Sequence, residues 1–134
     1  MDPVVHFELP GEDRARMSAF YERVFGWQTQ QLGPEMGDYV LATTSETDEN
    51  RMVKAPGTIN GGFFQKTGPD DRASVTVAVD DIRATMQAVR DAGGAVLPSM
   101  MNAGEPDEIP GVGLFARILD TEGNTIGLLQ PTNM

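Results

Sequence analysis

The sequence predicts an α+β fold of two tandem β-α-β-β-β units, their eight strands forming an incompletely closed, barrel-like sheet with both helices outside. Three observations predict it. Residues 5–9 and 74–79 each alternate apolar and polar side chains at period two, as strands with one face on a core do. Each is followed by a stretch whose apolar residues keep helical spacing and which ends at glycine. Equivalent points also keep a nearly constant separation, 67 residues from Gly26 to Gly93 and 65 from Gly62-Phe63-Phe64-Gln65 to Gly127-Leu128-Leu129-Gln130, so the chain reads as a duplication. The whole, 1–134, is one domain made of repeat 1 (1–68) and repeat 2 (72–134).

In the first repeat Pro10-Gly11 ends the strand at 5–9, and Glu12-Asp13 favour a helix start. Met17, Phe20, Tyr21, Val24 and Phe25 recur at i, i+3, i+4, i+7 and i+8, so they lie on one face of one helix that Gly26 stops. Residues 28–32, 39–43 and 59–66 read as three shorter strands, the last weakened by Gly61-Gly62. The polar, acidic stretch 44–51 is a surface loop. In the second repeat, Asp80-Asp81 opens a helix with Ile82, Met86 and Val89 on its apolar side, and Gly93-Gly94 closes it. Residues 95–101, 113–119 and 125–130 are the remaining strands, the last two joined by the tight turn Asp120-Thr121-Glu122-Gly123-Asn124.

Composition excludes several classes of function. Ten Lys+Arg against twenty Asp+Glu give a net charge of −10, which argues against nucleic acid and anionic membranes, since such binding rests on basic groups. With no cysteine there is no disulfide, thiolate metal site or cysteine nucleophile. The longest uncharged stretch, 92–104, has thirteen residues interrupted by Gly and Pro, too few to span a bilayer. The N-terminus lacks the basic and apolar regions of a secretory signal, so the expected location is cytoplasmic. Gly61-Gly62 lies within a strand, not between strand and helix, and so fails the context of a phosphate loop.

Strand geometry then sorts the faces. If Val5, Phe7 and Leu9 face the first helix, His6 and Glu8 point the other way, and by the same logic so do Ser74, Thr76 and Ala78. Curling of the sheet around that second face makes a cleft and spares the protein a broad apolar surface in water.

These residues carry a family resemblance. The strand with His6, Asp13 seven residues on, the Phe20-Tyr21 pair and Phe25-Gly26-Trp27 resemble the opening of glyoxalase/bleomycin-resistance/dioxygenase proteins, the vicinal oxygen chelate superfamily. Val79-Asp80-Asp81-Ile82, Ala92-Gly93-Gly94 and the 120–124 turn resemble its second-half motifs, and 109–116 is similar to a segment of its uncharacterised bacterial members. The resemblance covers nearly the whole chain and implies a homodimer, with or without swapped halves. It also implies where the metal-dependent members keep their ligands, on the first and fourth strands of each half. Those positions fall here on His6, Gly62, Ser74 and Gly127, and only His6 could bind a metal. No tightly bound metal and no cofactor are therefore expected.

Each candidate residue has a second, plainer reading. His6, the only histidine, is either a half-buried side chain bonded to a neighbouring strand or, with Glu8 on the same face, a ligand-binding or acid–base pair. Asn60, Gly62, Phe64, Thr125, Gly127 and Leu129 share one phase. The two glycines leave room for a flat or apolar ligand with Phe64 as a stacking wall, or else permit close strand packing. Ser74 and Thr76 line the same face. Arg117 could meet a ligand carboxylate or form a surface ion pair. Trp27, Met36, Met100 and Met101 are read as core or interface more than as a pliable mouth, and 102–111 as a flap or a solvated loop.

The leading expectation is a glyoxalase-like small-molecule-binding protein lacking the complete metal site, which sequesters a ligand or performs metal-free chemistry with His6 and Glu8. The alternative is a metal-dependent lyase, isomerase or dioxygenase with shifted ligands, and a third possibility is an interaction domain without a ligand.

Overall fold

The computed structural model describes residues 1–99 and 104–132. The chain forms two compact units, one of residues 6–73 and the other of residues 1–5 and 74–134. Among the described residues they hold nine strands and two α-helices, an α+β architecture in which the predicted β-α-β-β-β order occurs twice.

In the first unit β1 (Val4–Gly11, its first two residues counted with the other unit) leads into α1 (Arg14–Phe25), and β2 (Gln28–Gln31), β3 (Val40–Thr43) and β4 (Asn60–Gln65) follow. Strands β2, β3 and β4 run antiparallel in turn, and β1 lies parallel to β4 with His6 opposite Asn60 and Glu8 opposite Gly62. Asp13 caps α1 by accepting a hydrogen bond from the Arg16 N–H at 3.0 Å, and Gly26, in the left-handed conformation, ends it. The core is Val40, Ala42 and Phe63, with Phe7, Leu9, Met17, Tyr21 and Trp27 packed on it. The expected five-residue apolar face of α1 is only partly used. Met17 and Tyr21 reach the core, whereas Phe20, Val24 and Phe25 remain 55%, 53% and 61% exposed, because the helix docks along the single Met17–Tyr21 ridge.

β1 also runs two residues past Leu9, through the Pro10-Gly11 pair at which the sequence suggests a stop. A proline lacks only the donor, and here Pro10 and Gly11 stay in register with Phe64 and Gln65 of β4, Gly11 accepting from the Lys66 N–H at 3.0 Å.

The second unit repeats the connectivity with β5 (Ser74–Ala78), α2 (Ile82–Asp91), β6 (Ala95–Val96), β7 (Asp107–Ile109), β8 (Gly113–Leu119) and β9 (Thr125–Pro131). Here β5 lies parallel to β9 and β9 antiparallel to β8, while β6 and β7 share the far edge of β8, as β2 does on β3. Pro3 accepts from the Ala78 N–H at 2.9 Å, which ties the N-terminus to this unit. Val79, Ile82, Met86, Ala116, Ile118 and Leu128 form the core under α2. The extra strand β7 lies in the stretch read as a flap or loop: Asp107, Glu108 and Ile109 pair with Phe115, Leu114 and Gly113 through a tight connection. Of the predicted strand 95–101 only Ala95–Val96 forms a strand, β6, and residues 97–99 leave it, while Met100, Met101, Asn102 and Ala103 lie outside the described residues. No helix among the described residues is long and apolar enough to cross a membrane.

Candidate functional site

The packing of each core decides which side chains share the opposite face. In the first unit Phe7, Leu9, Val40, Ala42 and Phe63 turn toward α1, so His6, Glu8, Asn60, Gly62 and Phe64 turn away from it. The residue before β3, Tyr39, shares the phase of Leu41 and joins them. Its hydroxyl lies 2.9 Å from His6 Nε2, within hydrogen-bonding distance. Its ring covers Gly62 so closely that a β-carbon there would sit 1.8 Å from Cε2 of the tyrosine. The room that the missing side chain opens is thus taken by an aromatic ring.

Glu8, 4% exposed, is the buried carboxylate of this group. Burial holds the His6 pKa below its ordinary 6.5, and the nearby Glu8 charge opposes that shift. A depressed histidine costs nothing above its unfolded pKa and destabilises the fold progressively as pH falls below it, because the unfolded chain then binds the proton more readily. Between about pH 7 and pH 5 wild type should lose more thermal stability than His6→Gln, as read by calorimetry across that range. With a single histidine in the chain, that difference belongs to one group.

Asn60 lies on the same face, but its carboxamide is committed to the chain that follows β3. It accepts from the Thr44 N–H at 2.7 Å and the Ser45 N–H at 2.9 Å and donates to the Ser45 carbonyl at 3.1 Å. Phe64 is half-buried beyond Gly62.

The second unit gathers the remaining candidates. Val77, Val79, Leu114, Ala116, Ile118, Ile126 and Leu128 turn toward α2. Ser74, Thr76, Arg117, Thr125, Gly127 and Leu129 take the other face, together with Phe115. Gly127 is covered as Gly62 is: a β-carbon there would lie 2.7 Å from Thr76 Oγ1 and 3.0 Å from the Phe115 ring. The Arg117 guanidinium lies over that ring, 5.2 Å from its centroid. Ser74 and Leu129 are half-buried, and Thr125 is exposed at the strand end. Thr76 is 2% exposed, and among the described residues its hydroxyl has no hydrogen-bond partner. A buried unsatisfied hydroxyl costs free energy that an apolar isostere does not. Thr76→Val should therefore raise the unfolding free energy by about 1 kcal/mol, seen as a higher urea midpoint.

Tyr39 on this face of the first unit and Phe115 on that of the second are residues that the sequence reading misses. Alternation can place each in a phase, opposite Val40 and Ala42 and opposite Ala116, but it does not say that either ring lies on a glycine. Among the described residues, no group of three or more His, Asp or Glu side chains converges as a metal cage would require.

This duplicated fold, with a half-buried histidine on the first strand, is the one that the sequence resemblance implies, and comparison with known proteins agrees. The family model of the Glyoxalase/Bleomycin resistance protein/Dioxygenase superfamily matches residues 4–128, and the chain belongs to that superfamily. A glyoxylase-like domain-containing protein of Didymella fabae is 34% identical over 122 residues, covering 88% of this chain and 85% of its own. Among solved structures, a methylmalonyl-CoA epimerase of Streptomyces coelicolor in complex with 2-nitronate-propionyl-CoA superposes with a TM-score of 0.65 at 17% identity, covering 98% of this chain and 96% of that one. The Mycobacterium tuberculosis methylmalonyl-CoA epimerase gives 0.65 at 13% identity, covering 96% and 87%. At such identities the likeness establishes the fold.

Proposed function

We propose that the protein binds a small molecule without the metal of its metal-dependent relatives, with His6 and Glu8 as the polar centre that meets the ligand. The observation that carries this reading is the Tyr39 ring on Gly62, bonded to His6: a ring fills the space where a ligating side chain would stand, and its hydroxyl engages the imidazole nitrogen. The donor set does not fit a family-type ion either, since Gly62 and Gly127 offer no side-chain donor at positions that resemblance assigns to ligands. The CoA esters of the epimerases are not carried over to this chain. Its net charge of −10 favours a neutral or cationic ligand instead, by the electrostatics that also disfavour polyanions.

Sequestration is the simplest activity of such a site, and metal-free acid–base chemistry at His6 and Glu8 is its catalytic extension. The family resemblance supports a homodimer, which sedimentation of the purified protein tests; a monomer at all concentrations removes that part of the proposal. For the site, wild type and His6→Gln are screened by thermal shift against a metabolite and antibiotic set, with and without added divalent metals. A ligand at about a hundred times its Kd contributes about 2.7 kcal/mol, a rise of several degrees that the variant should lose. Stoichiometric zinc, nickel, iron or manganese in protein purified without chelator would overturn the metal-free reading. Turnover of a hemithioacetal or a catechol only with added metal would overturn it as well.

A further inference from the structure

We infer that Tyr39 is the positioning residue of this site, and that its hydroxyl, donating to Nε2, holds His6 as the Nδ1–H tautomer. The inference deepens the reading of His6 as a ligand-binding group and rests on it. A neutral imidazole has one donor and one acceptor nitrogen, and which is which decides whether a ligand meets a hydrogen-bond donor or a lone pair. The polar anchor of the His6 ring among the described residues is Tyr39. A phenol is a far stronger acid than a neutral imidazole N–H, and imidazole nitrogen is the better acceptor, so the proton between them belongs to the phenol. Nε2 is then the acceptor. Nδ1 carries the hydrogen, and the site turns a donor toward a ligand oxygen.

Four features hold the phenol in place. The turn before it bends through left-handed Gly37 (φ 66°) and Asp38 (φ 54°), a conformation that a non-glycine residue adopts only when its surroundings impose it. The Asp38 carbonyl accepts from Gln31 Nε2 at 2.6 Å and also from the Arg14 guanidinium. The Tyr39 carbonyl accepts from the Leu32 N–H at 2.8 Å. Backbone on both sides of the tyrosine is thereby tied down. On the other side, the bare backbone of Gly62 lets the ring lie flush against β4, where any β-carbon would push it off. Restraint of this kind is spent on a side chain whose hydroxyl then meets the one histidine of the chain.

The test is nitrogen NMR of protein labelled at its single histidine, at a pH where the ring is neutral. Wild type should show a pyridine-like Nε2 and a pyrrole-like Nδ1. Tyr39→Phe keeps the ring and removes the hydroxyl, and the ratio of Nδ1–H to Nε2–H forms should fall about tenfold, toward the Nε2–H form that a free histidine side chain prefers. A pyrrole-like Nε2 in wild type, or an unchanged ratio in the variant, overturns the inference. Should the variant fail to fold, the wild-type spectrum alone still decides which nitrogen carries the hydrogen. The thermal-shift screen is a separate measurement. Loss of the tautomer with ligand binding intact refutes the positioning role, and a fixed tautomer without any ligand refutes the binding function.

Discussion

Replacing Phe63 by alanine should lower the unfolding free energy by about 3–5 kcal/mol, the largest effect of any single truncation in the first unit. Phe63 is fully buried on β4, opposite Leu9 on one side and Val40 on the other. Its ring meets that of Tyr21 with centroids 5.4 Å apart, so it is the side chain through which α1 is held on the strands. Tyr21 in turn stacks on Trp27 at 4.6 Å, which makes this aromatic group the main anchor of a helix that leaves Phe20, Val24 and Phe25 exposed. Truncation removes transfer energy and leaves a cavity that strands on both sides prevent from collapsing. Urea unfolding followed by tryptophan fluorescence should show a lower midpoint at unchanged slope. A loss below about 1 kcal/mol would mean that Phe63 is not the centre of this core.

Gly62→Ala should have the largest effect on the site. The added β-carbon would lie 1.8 Å from the Tyr39 ring, and the atoms it meets are the far end of a side chain, so the ring swings away in preference to the strand. Over-packing of this kind costs about 1–3 kcal/mol, which the fold should survive. The His6 hydrogen bond should not. The expected outcome is a folded protein in which the imidazole has the mixed tautomers of Tyr39→Phe and ligands found for wild type no longer raise the melting temperature. A variant that keeps the wild-type nitrogen spectrum would show that the ring is not seated on the glycine.

Much of this fold was legible because its signals are local. Asp13 and Asp81 stand where helices begin, Gly26 and Gly93 where they end, and the alternation in β1 and β5 states which face is apolar. β7 was not legible, because Asp107-Glu108-Ile109 has no alternation and becomes a strand only by lying along β8. The apolar face of α1 was overread for a related reason: periodicity shows which residues could be buried, whereas the strands beneath decide how many are. At the site, the phase of His6, Glu8 and Gly62 could be read. Their neighbours could not, since glycine is equally consistent with open space and with a ring pressed on the backbone. The position of Tyr39 depends on the left-handed turn at Gly37 and Asp38, and aspartate gives no strong warning of that conformation.

The rings resting on Gly62 and Gly127 also constrain how this chain could change. A carboxylate introduced at position 62 finds no space while Tyr39 is full-sized, and shortening Tyr39 first leaves an unfilled hollow with the imidazole unmoored. Each single step is worse than either endpoint, so the two positions must be exchanged together. Position 127 is bound in the same way to Phe115 and Thr76. At both positions a side chain larger than glycine therefore requires a compensating change in the neighbour that covers it.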